Sequence, residues 1–456
     1  MIITVPATAL AATAAAAAAA LIVRKVSRPQ AVRGERYDLP GGGSMTVADR
    51  AAVERDPHWS RALAGCRKDA RYYGLVEDTL GGQGFDFRYF VLRDDAGRVR
   101  AIQPFLELNQ DVVTGAGPTL KRWIGAARRA VPRLLTIRTL MIGCAAGEGH
   151  LDVSDDAGTP ADRARRAAWV ARSVGLAATR YASRAGCSMV VFKEFPSTYR
   201  EAMGDLRGLG FTRVPSLPMV RLPLAFATFD EYLAKVLSKA TRKGLRRKFR
   251  DAEASPEPIT LEVLTDASAV ADEVHALYKQ VYDRSSLHFE RLTPEFLRRL
   301  GTDMPDKARF FVWRRGGKAV AAAVILIDGD RLYDEYLGLD YAVALDLHLY
   351  FYTFRDIVRY ALDHGLKWYY STALNYDPKL HFKCELYPLD LYVRHVSPVA
   401  NAVVRQVLPW LEPTRSDPTL GRFPNYADVW GDARPARAHP AADRAAPAPD
   451  EPDAAE

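Results

Sequence analysis

Two short phrases occur twice in this chain, in the same order, and they limit what it can fold into. Arg88 to Arg93 reads RYFVLR, and Arg309 to Arg314 reads RFFVWR. Each is followed by a turn (DDAG or RGG) and a second apolar run, AIQPFLEL or AVAAAVILI, which is the pattern of a β-hairpin. Further on, RYASRAG (Arg180 to Gly186) is echoed by RYALDHG (Arg359 to Gly365). The shared glycine sits where a helix would end, and a strand follows in both copies. A repeat kept in order indicates an internal duplication. With 456 residues the chain is also too long for one core. The first pair of phrases is spaced more widely than the second, so the first copy carries extra residues, expected around Thr119 to Thr136.

Each copy reads as helix, helix, a β-meander, helix, strand, helix, strand. In the second copy ITLEVLTD is a strand, and Ala267 to Arg284 is an amphipathic helix. Thr293 to Leu300 is another, with proline at its first helical position. ARFFVWRR, KAVAAAVILID and RLYDEYLGLD form the meander, Asp346 to Asp363 the next helix, and LKWYYSTA and PLDLYVRHV the last strands. An antiparallel meander leading into helix-linked strands is an α+β layered domain. The expected division is a first domain over 45–225 and a second over 226–412.

The termini differ from this pattern. Residues 1–25 form an apolar segment, uncharged through Val23 and closed by Arg24-Lys25. It is long enough to span a bilayer, and the basic flank would hold the rest of the chain on the cytoplasmic side of the inner membrane. Without insertion the protein would be cytoplasmic. Residues 432–456, rich in Pro, Ala, Asp and Arg, carry few large apolar residues and are expected to be disordered. Cys66, Cys144, Cys187 and Cys384 are scattered with no CxxC pair, which fits a reducing compartment and no metal site. His275, His288 and His348 occur singly and are read as packing or surface residues.

The second copy resembles the GNAT acyltransferase superfamily, and the tandem arrangement resembles the FemAB-like transferases with a BioF2-like acetyltransferase domain. The likeness is carried by FDEYLAKVLSKATRKGLRRKFRDAE, by the hairpin RFFVWRRGGKAVAAAVIL, by DRLYDEYLGLD and by YDPKLHFKCELYPLDLYVRH. It covers Phe229 to Pro398 well and Tyr72 to Leu224 weakly. The resemblance implies tandem GNAT-like domains and an N-acyltransferase that moves an acyl group from acetyl-CoA or another acyl-CoA to an amine acceptor. One departure leaves the donor open. Where the family places (Gln/Arg)-x-x-Gly-x-(Gly/Ala) to hold a pyrophosphate, the second copy reads GLDYAVALDLH. In the first copy GCAAGEG (Gly143 to Gly149) fits part of that pattern, but no helix follows directly. Aminoacyl-tRNA acting on a cell-envelope precursor is the alternative donor, and a non-catalytic membrane-associated binding protein is the reading outside enzymes.

Amine acylation needs a positioned donor and a base for the ammonium proton, and a carboxylate in apolar surroundings can serve. Alternation along RLYDEYLGLD puts Tyr333, Glu335, Leu337 and Leu339 on one face and Leu332, Asp334 and Tyr336 on the other. Glu335 is therefore the leading base candidate, with Asp334 behind it and His381 as a proton shuttle. Thr372, Asn375, Tyr376 and Lys379 cluster where the fourth and fifth strands of the fold would part, and Lys379 matches the family's closing lysine. Asn375, Tyr376 and Lys379, together with Tyr336, are candidates for substrate or donor binding.

Ser238 to Arg250, SKATRKGLRRKFR, has seven Lys or Arg among thirteen residues and no acid. Projected as one helix, Leu233, Val236, Leu237, Ala240, Gly244 and Leu245 form an apolar stripe with the cations largely off it. Arg242, Arg246 and Arg247 are the donor-binding candidates, with an anionic leaflet as the competing use. No helix-turn-helix, RRM or zinc pattern accompanies the charge, so DNA is not an expected partner.

Overall fold

The computed structural model describes residues 35–39, 42–111, 136–153, 158–285, 288–410, 414 and 417–431. The apolar segment 1–25, the tail 432–456 and nearly all of the expected insertion at 119–136 lie outside them. Two mixed, mostly antiparallel sheets with flanking helices make the chain α+β, as expected. The first sheet contains β1 (Arg36–Asp38), β2 (Ser44–Ala48), β3 (Asp86–Arg93), β4 (Val99–Asp111), β5 (Thr136–Ile142), β6 (Met189–Pro196) and β7 (Thr212–Pro215). The second contains β8 (Met219–Pro223), β9 (Ile259–Leu264), β10 (Ala308–Arg315), β11 (Lys318–Asp328), β12 (Arg331–Leu339), β13 (Trp368–Ser371) and β14 (Glu385–Tyr387).

Local chemistry accounts for the repeated phrases. In the second copy the β10–β11 loop is Gly316-Gly317, both with positive φ, the two-residue turn that suits a twisted hairpin. Helices α1 (Arg50–Val53), α2 (Ala70–Leu80) and α3 (Pro160–Arg184) belong to the first copy. The second holds α4 (Phe229–Lys235), α5 (Lys239–Glu253), α6 (Ala271–Arg284), α7 (Pro294–Asp303), α8 (Leu349–Asp363) and α9 (Tyr376–His381). The helices α3 and α8 end identically. Gly186 and Gly365 have φ of 74° and 69°. The next amides, of Cys187 and Leu366, bond back to the carbonyls of Ala182 and Ala361 at 2.8 and 2.9 Å. Both are glycine caps of the Schellman type.

The sheets do not part where the two copies do. Strand β8 precedes residue 226, yet it lies between β13 and β14 in the second sheet. The closing strand PLDLYVRHV supplies β15 (Leu389–His395), which crosses back to sit between β6 and β7 of the first sheet. The two crossings lie side by side, with Ser216 N bonded to Leu389 O at 2.8 Å. One hydrophobic core is private to each sheet, and a third is shared between them. In the shared core Tyr72 of α2 meets Phe296 of α7 edge to face. Arg71–Asp306 and Arg299–Asp78, both at 2.7 Å, tie its rim.

Candidate active site

The strands β12 and β13 run parallel and pair from Arg331↔Trp368 to Asp334↔Ser371. β13 ends there, whereas β12 continues to Leu339, so the strands part just past Asp334. Asp334 is partly exposed at this fork. The Tyr369 hydroxyl donates to Asp334 Oδ2 at 3.0 Å. Tyr369 is itself held by Phe354 of α8, edge to face with centroids 5.4 Å apart. Burial pushes the Asp334 carboxyl up to about 6, against the opposing pull of Tyr369 and Lys379. Such a group is ionised at neutral pH and still basic enough to take a proton.

The expected alternation along β12 fails at Glu335. Val324 pairs with Tyr336 and Ile325 with Asp334, so Glu335 is the extra residue of a β-bulge. Beyond it the faces swap. Tyr333 and Tyr336 both pack on the shared core, while Leu337 and Leu339 join Leu332 in the second sheet's own core. Asp334 and its neighbour Glu335 therefore serve opposite faces.

Glu335 is only 5% exposed. Its Oε1 lies 2.9 Å from Arg67 Nε and its Oε2 3.4 Å from Lys68 Nζ. These contacts are ionic, since Glu335 Oε1 and the Arg67 nitrogens lack hydrogen-bond alignment. The same two cations hold Glu148 of the first copy, with Lys68 at 3.0 Å and Arg67 closer still. The Arg67 guanidinium lies over the Tyr333 ring, 3.7 Å from its centroid. Burial opposes ionisation of Glu148, yet Arg67 and Lys68 hold its carboxyl well below the usual range. Two buried carboxylates matched by two buried cations form a neutral set across the copies. Glu335 is thereby buried against the first copy, whereas Asp334 beside it is partly exposed at the fork.

On α9, Tyr376 and Lys379 are buried one turn apart. Lys379 Nζ donates to the carbonyls of Thr372 and Leu374 at 2.6 and 2.8 Å, bracing the turn that follows β13. In that turn Leu374 and Asn375 have φ of 74° and 49°, strain that non-glycine residues hold only when enforced. Burial pushes the Lys379 ammonium down to about 8. Tyr376 donates to the Pro218 carbonyl at 2.8 Å, tying α9 to the link between the sheets. Asn375 is exposed at the start of α9. His381 is half-exposed, its Nδ1 turned to the Asp377 carbonyl at 2.8 Å, and it is not among the groups that act on Asp334. Tyr336, on the other face, donates to Glu290 Oε1 at 3.2 Å. The loop bearing Glu290 is clamped by Gln83 of the first copy, which bonds both backbone groups of Arg291 at 2.6 and 2.9 Å. Tyr369 and Glu290 went unnoticed in the sequence, being single residues with no motif around them.

The basic block is one helix of a pair. Ser238 caps α5, accepting from the Thr241 amide at 3.1 Å, so the apolar stripe drawn through Leu233 and Leu245 is broken between them. Val236 and Ala240 are exposed, and α5 buries Leu245, Phe249 and Ala252 instead. Arg242 donates to the carbonyls of Leu233 and Ala234 at 3.3 and 2.9 Å, closing the end of α4. Arg246 and Arg247 are exposed.

The glycines of GCAAGEG are explained by packing. A Cβ on Gly147, whose φ is +104°, would meet Lys68 Nζ at 1.8 Å, and one on Gly149 would meet Phe195 at 2.6 Å. In the second copy the turn after β12 closes on itself. The amides of Val343 and Ala344 bond to Asp340 O at 3.0 and 2.9 Å, and that of Ala342 bonds to Asp340 Oδ1 at 3.1 Å. All four cysteines are free, and burial pushes the Cys144 thiol up to about 11. Among the described residues no group of three or more His, Cys, Asp or Glu is placed to hold a metal, and no helix is long and apolar enough to cross a membrane.

Residues 239–380 match the acetyltransferase (GNAT) domain family. The comparison with curated proteins returned no significant match. Among solved structures the chain is similar to the C-terminal domain of a putative lysylphosphatidylglycerol synthetase from Agrobacterium fabrum. The identity is 14%, with 80% of this chain and 98% of that one covered at a TM-score of 0.45. It is similar to FemX at 10% identity, covering 80% and 99% at a TM-score of 0.45. A tandem GNAT protein from the clavulanic acid biosynthesis pathway is similar at 13% identity, covering 76% and 92% at a TM-score of 0.36.

Proposed function

We propose that the chain is an N-acyltransferase, a reading supported by the GNAT acetyltransferase match over residues 239–380, and that it acylates an amine at the fork between β12 and β13 with Asp334 as the base. The observation that carries this reading is the setting of Asp334. It is the last paired residue before the strands part, it is partly exposed, and burial lifts its carboxyl to about 6. The carboxylate takes a proton from the acceptor's ammonium, directly or through one water. The freed amine attacks the donor carbonyl to form the C–N bond. The C–S or C–O bond to the donor breaks with its electron pair going to sulfur or oxygen, and the proton shed by the new amide nitrogen goes to that leaving group. Tyr369 orients Asp334, and Lys379 holds the turn beside it.

Acyl-CoA is the first donor to test. The self-closed turn after β12 supports a second reading, an aminoacyl ester of tRNA, because the amides of residues 342–344 are already engaged. The two separate in one experiment: purified protein is offered radiolabelled acetyl-CoA or charged tRNA with a panel of primary amines. Transfer from either donor that is lost in Asp334→Asn supports the site, and transfer undiminished in that variant sinks it.

A further inference from the structure

A shallow pocket of about 190 Å³ opens where α4, α5 and α8 meet. Arg246, Arg250, Arg355 and Arg359 line it, against only Asp230 and Glu253. Arg355 is 4% exposed and fixed, bonded to Glu253 at 2.6 Å and to Asp356 at 2.9 Å. Its guanidinium lies over Tyr352, 3.8 Å from the centroid. Glu253 is thereby spent on Arg355. Among the described residues Arg246, Arg250 and Arg359 form no ion pair, and Asp230 is the other acid of the lining. Phe229 and Phe249 give the pocket an apolar floor, with Arg359 over the first ring at 5.6 Å and Arg355 over the second at 5.0 Å. The volume is below that of a drug-sized site and suits a small oxyanion.

The pocket shares α8 with the fork. Tyr350, in the first turn of α8, lies beside Asp334 and is affected by its charge. At ~1.5 Å per residue, Arg355 and Arg359 lie about 8 and about 14 Å further along the helix axis. We propose that this arginine pocket binds a phosphate group of the acyl donor, holding it while the acyl end reaches the fork. Guanidinium groups suit this task because they offer paired donors to phosphate oxygens. The proposal rests on the acyltransferase reading for the ligand's identity, but not for the existence of the site.

Adenosine 3′,5′-bisphosphate is the probe, titrated calorimetrically into the full-length protein at low salt. Saturable one-site binding is expected, weakened at least about tenfold by Arg250→Gln with Arg359→Gln. Lys239→Gln with Lys243→Gln, on the same helix but outside the pocket and removing the same charge, should change it less than about twofold. Lack of saturable binding, or equal losses in the two variants, overturns the proposal. So does binding confined to phosphatidylglycerol vesicles, which would assign the arginines to a lipid headgroup. Asp334→Asn separates the two ideas. If it keeps full turnover while the arginine variants lose the bisphosphate, the base assignment fails and the anion site stands.

Discussion

Arg67 and Glu335 meet at 2.9 Å across the two copies, each side chain at most 3% exposed. The pair belongs to a buried set with Lys68 and Glu148, the latter also met by His150 at 3.1 Å, and it joins the two copies. Removing one member leaves a buried charge without its partner, which typically costs about 3–5 kcal/mol. Glu335→Gln should therefore lower stability by that order in urea unfolding. A variant that loses turnover at unchanged stability would instead restore Glu335 as the base.

Asp334→Asn is expected to behave in the opposite way. Its carboxyl is ionised at a cost in the folded state, so the neutral amide should leave the unfolding midpoint at neutral pH unchanged or higher. Steady-state turnover should fall by ~10²–10⁴-fold, the usual contribution of a general base. Donor binding, measured by calorimetry, should persist.

Activity should rise with pH through about 6, because Asp334 is protonated below that value and ionised above it. Tyr369 donates to the ionised form and so holds the carboxyl lower than burial alone would. Tyr369→Phe should then move the acid limb of the pH–kcat/KM profile to higher pH. A limb that stays in place would separate Tyr369 from the base.

The alkaline side has its own group. The Lys379 ammonium titrates near 8, and its protonated form braces the turn at Leu374–Asn375. Above that pH the ammonium's charge is lost, its two hydrogen bonds to the turn weaken to ordinary strength, and activity should decline. Lys379→Met should remove this limb and speed amide exchange in residues 372–376, read by hydrogen–deuterium exchange.

Gly147→Ala should destabilise the protein through the same charged seam. The position needs φ of +104°, and the added Cβ would displace the Lys68 ammonium. A loss of ~1–3 kcal/mol is expected from the backbone strain alone. An unchanged melting temperature would contradict the packing account of GCAAGEG.

The repeat, the hairpins and the glycine-capped ends of α3 and α8 were legible because each depends on neighbours in sequence. Gly316-Gly317 and Gly365 specify their turns wherever the strands go. The bulge at Glu335 was not legible, since an extra residue in a strand leaves no local mark, and it reversed the expected faces of Tyr336 and Leu337. Arg67 and Lys68 carry no sequence motif, and they are interior residues because two distant carboxylates, Glu148 of their own copy and Glu335 of the other, meet them. The sheet that receives PLDLYVRHV could not be read either, because an alternating strand looks the same in both.

That exchange of strands has an evolutionary side. β8 and β15 each complete the sheet of the other copy, so neither copy is a self-sufficient module that recombination could move, lose or replace. Once the crossing had formed, the two halves became a single heritable piece. The first copy could then drift far from its sibling in sequence and still be retained as the half that finishes its neighbour.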